Sequence, residues 1–139
     1  MTILSAADLV FVDSSAWFAT VDRHDPNRTQ AVQFLSTKPR LITTDFVVDE
    51  TVTLVRYKLG HGLAVELGDK LWNATLARLV HVSPEDESRA WLLFRRFRDK
   101  RFSFTDCSSF VVMQRLGLTY AFAFDDDFSQ VGRFVRVPG

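Results

Sequence analysis

Short uninterrupted apolar runs alternate along this chain with stretches of helical spacing. Leu9-Val10-Phe11-Val12 is such a run and it stops at Asp13, as a strand buried on both faces of a parallel sheet would. Ser14 can cap a short helix through Trp17 and Ala19, and Ala31, Phe34 and Leu35 carry the next helical spacing. Leu41-Ile42 predicts a second strand. Thr44 then caps a long helix to about Leu59, with Gly60 as its stop. A further helix is predicted over Leu63 to Leu76, and a third strand over Leu79 to Val82. Ser83-Pro84-Glu85-Asp86 is a helix start with a capping hydroxyl, a proline in the first turn and acids at the positive end of the dipole. That helix carries Trp91, Phe94 and Phe97 before the basic stretch Arg95 to Arg101. Thr105 begins a helix to about Leu116, with Gly117 as its stop. Ala121 to Phe124 is the fourth strand, followed by Asp125-Asp126-Asp127, and Phe134 to Val137 is a candidate edge strand. Strands alternating with helices predict an α/β fold, a three-layer α/β/α sandwich around a mostly parallel sheet.

In open parallel sheets, sites form beyond the carboxyl ends of the strands. Asp13 and Asp125 both sit there, although an aspartate in a loop also serves as an ordinary helix cap. Glu50 lies on the helix from Thr44 to Leu59 with Phe46, Val47, Thr53 and Leu54 three and four residues away, whereas Asp49 lines up with Asp45 and Thr53. A glutamate on the apolar stripe needs compensation, and an ion pair with Arg56 or Arg115 is one way to supply it. Asp106 follows Thr105 at a helix start, where dipole complementation alone would justify an acid. If these four carboxylates lay within roughly 5 Å of one another, each pair would repel by about 3 kcal/mol at an effective dielectric near 20. Six such pairs sum to about 20 kcal/mol, more than the stability of an ordinary domain. Such a cluster persists only by protonation or by binding cations, and all-oxygen ligands select Mg²⁺ or Mn²⁺.

These landmarks resemble the PIN-domain ribonucleases, in particular the VapC-like toxins of toxin–antitoxin pairs, across nearly the whole chain. The matching segments are Val-Asp-Ser-Ser at 12–15, Glu50 on its helix, Phe-Ser-Phe-Thr-Asp-Cys-Ser-Ser-Phe at 102–110 and Ala-Phe-Ala-Phe-Asp-Asp-Asp-Phe at 121–128. The resemblance places the family's four acids on Asp13, Glu50, Asp106 and Asp125, with Ser14 and Thr105 at hydroxyl positions that help hold the metal. It implies a pocket for one or two Mg²⁺ or Mn²⁺ ions that hydrolyses RNA phosphodiester bonds, with Asp13 and Asp106 as central ligands. Two positions depart from the family's pattern: Ala123 stands where many members have Thr, and Asp127 where a His is frequent. They leave Asp126 or Asp127 able to share the role of Asp125. The resemblance also implies a small antitoxin partner and a homodimer.

Length and charge narrow the picture. The 139 residues predict one domain over 1–139. An apolar share of 47% with 13 Phe argues for a filled core and against disorder. Seventeen basic and seventeen acidic residues cancel, so any contact with nucleic acid must come from local patches. The densest is Arg95, Arg96, Arg98, Lys100 and Arg101, which either holds an RNA backbone or simply complements a helix C-terminus. A lone Cys107, a Met1 to Asp8 start without signal-peptide character, and no apolar run of about 20 residues all point to a cytoplasmic protein. His24, His61 and His81 lack metal-ligand spacing, and Cys107 reads as a small buried hydrophobe. Trp and Phe at regular spacing read as core or interface, with Trp17 as a candidate contact for a base or partner.

Other classes fit less well. Aspartate-nucleophile phosphatases want an acid two residues after Asp13, where Ser15 stands, and receiver domains want an acidic pair at the first strand. A catalytically silent PIN-fold binding module would have lost an acid, yet all four positions are filled. A nuclease of RNA processing rather than a toxin remains the other enzymatic alternative.

Overall fold

A computed structural model describes residues 4–139; Met1 to Ile3, part of the N-terminal stretch read above, lie outside the described residues. The order is β1 (Leu9–Val12), α1 (Ser14–Val21), α2 (Arg28–Ser36), β2 (Arg40–Thr44), α3 (Asp45–Leu59), α4 (His61–Trp72), β3 (Arg78–Val80), α5 (Pro84–Arg96), α6 (Phe104–Arg115), β4 (Tyr120–Phe122), α7 (Asp127–Gln130) and β5 (Val135–Val137). The five strands lie in the order β3-β2-β1-β4-β5 and every pairing is parallel. The predicted α/β sandwich is therefore present. The order reverses between β1 and β4, so right-handed crossovers distribute the helices over both faces, and the ends of β1 and β4 flank the switch point where such sheets bind ligands.

β1 is central because it is apolar throughout: Val10, Phe11 and Val12 are fully buried. Rings knit the layers together: Phe110 meets Phe128 at 5.1 Å and Phe102 at 5.0 Å, and Phe34 meets Phe122 at 4.7 Å. Trp17 belongs to this core, buried with its indole N–H directed at Thr43 Oγ1 (3.5 Å), so its ring is not free to stack on a base.

Local signals hold where the chain makes its own bonds. Thr44 Oγ1 accepts from the Val47 N–H at 3.2 Å, and Gly60 ends α3 at φ 105°, a conformation costly for any residue with a Cβ. Ser83 and Asp86 form a reciprocal capping box. Elsewhere the boundaries move for identifiable reasons. The helix predicted to Leu76 stops at Trp72, because Asn73 accepts from the Thr75 N–H and Ala74 turns to positive φ. The third strand ends at Val80 rather than Val82, since the Val82 N–H is taken by Asp45 Oδ1 at 2.9 Å. The sixth helix starts one residue before Thr105, capped by Ser103. The first is capped by Asp13 rather than Ser14.

Candidate active site

Asp13 leaves the end of β1 and caps α1, a position that removes it almost completely from water at 1% exposure. Its Oδ2 accepts from the Ser15 hydroxyl at 2.9 Å and from the Ser15 N–H at 3.4 Å. Its Oδ1 is buried and has no hydrogen-bond partner. A buried carboxylate oxygen without a donor is costly. Burial first, then the charges of Asp125 and Asp106, push the Asp13 carboxyl well above its usual range, against the bond from Ser15.

Asp106 sits in the first turn of α6, 7% exposed, where its Oδ2 accepts from the Ser103 N–H at 2.9 Å. Burial lifts it to about 7 in spite of that hydrogen bond, with Asp127 and Glu50 adding to the rise. Glu50 is half-buried at the rim rather than fully on the core stripe, and its Oε1 accepts from Ser14 Oγ at 2.5 Å. Neither arginine considered for it is engaged there: Arg115 binds Asp86, and Arg56 contacts His61. Asp125 follows β4, half-buried, and its Oδ1 accepts from the Asp127 N–H at 3.2 Å.

The chain thus gathers the four sequence-predicted acids at the switch point, each in another's field. Asp127, read from sequence only as a possible substitute for Asp125, is a full neighbour: burial and the charge of Asp125 raise its carboxyl, and Asp127 in turn raises that of Asp106. Ser15 was missed. Its hydroxyl donates to Asp13 and accepts from the Phe124 N–H at 3.1 Å, tying the β1 and β4 ends together. The available signal was Asp13 as a helix cap, which puts a hydroxyl at the second following residue within its reach. Cys107 is buried, and burial and then Asp106 push its thiol to about 11, far from a nucleophile's range.

Among the described residues the ion pairs join Lys70 to Glu66, His81 to Asp45, Lys100 to Asp99 and Arg115 to Asp86, and none reaches these acids. Nor are three carboxylates among the described residues drawn close enough to close a coordination shell. The donor set is nonetheless that of a hard cation, oxygen only, and the buried Asp13 Oδ1 has no hydrogen-bond partner.

A raised carboxylate pKa has a definite consequence for metal-free protein. Between the unfolded value near 4 and the folded value of about 7 for Asp106, the folded state holds more protons than the unfolded. Stability from this group is therefore greatest at the acid end and declines as pH rises through about 7. Thermal melts in EDTA from pH 5 to 8 should show the decline, and Asp106→Asn should flatten it; an unchanged slope would contradict the assignment.

A parallel sheet of this order, with acids collected at its switch point, belongs to the PIN-domain family, whose model matches residues 10–134. The particular proteins this chain is similar to are the 23S rRNA-specific endonucleases VapC20 of two Mycobacterium tuberculosis strains. Each is 36% identical over 130 residues, covering 93% of this chain and 98% of the relative. The crystal structure of Mycobacterium tuberculosis VapC20, described as a Sarcin-Ricin loop cleaving toxin, aligns with a TM-score of 0.85 at 35% identity, over 91% of this chain and 96% of that one. VapBC2 from Rickettsia felis, crystallised with a DNA fragment from its promoter, aligns with a TM-score of 0.66 over 92% and 96% of the two chains. At 8% identity that likeness speaks for the fold alone.

Proposed function

We propose that this protein is a Mg²⁺- or Mn²⁺-dependent endoribonuclease, the toxin of a toxin–antitoxin pair, with Asp13, Glu50, Asp106 and Asp125 as its metal and catalytic residues. The observation that carries this reading is the partnerless, buried Asp13 Oδ1 amid the charges of Asp125, Asp106 and Glu50. When bound, a divalent ion supplies Lewis acidity that acidifies water and offsets charge on the phosphodiester. Asp13 and Asp106 hold it, the first fixed by Ser15 and the second by the Ser103 N–H. Glu50, oriented by Ser14, positions water, and Asp125 completes the site with Asp127 beside it. The specificity stated in VapC20's name makes 23S rRNA the first substrate to assay. Residues 1–139 act as one nuclease domain, in the cytoplasm and as a homodimer; among the described residues no helix is long and apolar enough to cross a membrane.

Metal should stabilise the folded protein, because neutralising the acids relieves repulsion that exists only when they are gathered. Saturating Mn²⁺ should raise the melting temperature, and a quadruple acid-to-amide variant should be more stable than the parent in EDTA. Absence of both effects would show the pocket to be wrongly assigned.

The antitoxin we propose would lie in an apolar groove. An apolar groove of about 430 Å³ runs between the early helices and α4, lined by Leu35, Leu41, Leu63, Leu67 and Leu76. Trp17 and Thr20 of α1, the helix that begins at Asp13, form one wall. An inhibitor that places an arginine among the acids would take the same carboxylates as the metal for its partners. Raising Mn²⁺ should then weaken inhibition. Copurification with the product of an adjacent small gene and sedimentation of the isolated protein test the partner and the dimer; a strict monomer with no partner would leave the nuclease and remove the toxin.

A further inference from the structure

The outer face of α5 carries two rings, Trp91 and Phe94, that neither the core nor the acid pocket uses. Trp91 and Phe94 stack with centroids 5.6 Å apart and planes at 17°, and they are 53% and 41% exposed. Phe104 stands edge-on to both, at 6.1 and 6.4 Å, and Phe46 lies 6.1 Å from Phe104. Phe104 is the first residue of α6, two before Asp106, and Phe46 lies one helical turn before Glu50. Phe104 and Phe46, which join the α5 rings to the rest of the molecule, thus share their helices with Asp106 and Glu50, which brings the rings toward that side of the acid site.

The surroundings are cationic. Arg95 and Arg96 form the last turn of α5, Arg98 and Arg101 follow it, and all four are exposed. Among the described residues none of the four is in an ion pair. Beside an acidic pocket, such cations offset the repulsion a polyanion would meet. Exposed ring faces flanked by arginines are the combination by which single-stranded nucleic acid is held, bases stacking on the rings and phosphates meeting the cations. A second copy of the chain fits less well, since a two-fold contact centred here would set one arginine group against its own duplicate.

We propose that Trp91 and Phe94 form a stacking platform for an unpaired base of the RNA substrate, with Arg95 and Arg96 on the adjoining phosphates. The identity of the ligand rests on the nuclease reading above. The platform fixes where the strand lies relative to the acids, and so which phosphate is presented to them.

The test uses a single-stranded RNA oligonucleotide carrying 2-aminopurine, whose emission falls on stacking, with the full-length protein in EDTA so that no cleavage occurs. Wild-type protein should quench the emission. Trp91→Ala should lose most of the quenching and bind roughly tenfold more weakly, the effect of one lost base stack. Trp91→Phe, which keeps a ring, should restore most of both. Sedimentation of each variant separates the rival occupant. Unchanged quenching by a folded Trp91→Ala protein overturns the platform, as does a loss that merely follows dissociation of a dimer. Manganese-dependent cleavage of 23S rRNA by the same preparations tells the two readings apart. If wild type cleaves while Trp91→Ala still quenches, only the platform fails; if wild type neither cleaves nor binds, the nuclease reading fails with it.

Discussion

Asp106→Asn should abolish manganese-dependent RNA cleavage, with a loss of at least about a hundredfold, while leaving the fold intact. Replacing groups that only orient metal ligands costs roughly ten- to a hundredfold, so a central ligand sets a higher floor. The substitution is nearly isosteric, and an amide oxygen can still accept the 2.9 Å bond from the Ser103 N–H that closes the α6 capping box. It also removes one charge from a group whose neighbours Asp127 and Glu50 resist its ionisation, so metal-free protein should gain stability rather than lose it. Activity and stability therefore move in opposite directions. A general unfolding defect cannot produce that divergence. Undiminished cleavage by a folded variant would refute the role assigned to Asp106.

The second large effect lies away from the acids. Asp86 is 1% exposed and receives two hydrogen bonds from Arg115, at 2.9 and 2.8 Å, which join the start of α5 to the end of α6. Burial alone would raise its carboxyl, but the bonds from Arg115 and Ser83 together with the guanidinium charge outweigh burial and hold it below the usual range. Arg115→Ala leaves that carboxylate buried without its counterion, held only by the Ser83 N–H, which should cost about 3 kcal/mol. The low end of the usual range applies because the Arg115 side chain is itself 38% exposed, so water can reach the gap. For a chain of this length the melting temperature should fall on the order of 10 °C. A depressed carboxylate contributes stability above its unfolded value near 4 and loses it as pH falls through the lower folded value. The difference between wild type and variant should thus be full at neutral pH and shrink under acid conditions. A difference that persists below pH 3 would mean that Arg115 acts through packing rather than charge.

The pair also marks a limit of legibility. Ser83-Pro84-Glu85-Asp86 was readable as a helix start, because capping is decided within four residues. That Asp86 also holds Arg115, 29 positions away, was not. Glu50 illustrates the same limit from the other side. The pattern put it on the apolar stripe of its helix, but it is half-buried there and its partner is the Ser14 hydroxyl rather than an arginine.

Short-range chemistry is legible in the order of residues alone. The apolar run ending in Asp13 defines a strand with an acid at its end, whereas the run predicted over Ala121 to Phe124 is a strand only over Tyr120–Phe122, leaving Asp125 three residues beyond it; Thr44, Ser83, Gly60 and Gly117 punctuate helices through bonds or backbone angles confined to a turn. Residue types in order were enough to expose the family resemblance and to nominate the four acids. Tertiary structure alone decided the rest. Periodicity cannot tell Trp17 from Trp91, since both sit at helical spacing, yet one is sealed against Thr43 and the other faces water. Asp127 became a neighbour of Asp106, and Ser15 a clasp between strand ends, only when β1 and β4 lay side by side. The physical reason is common to all of them. A cap or turn is settled by bonds within a few residues. Burial, repulsion between carboxylates and the partner of a buried charge depend on groups brought together from distant points of the chain.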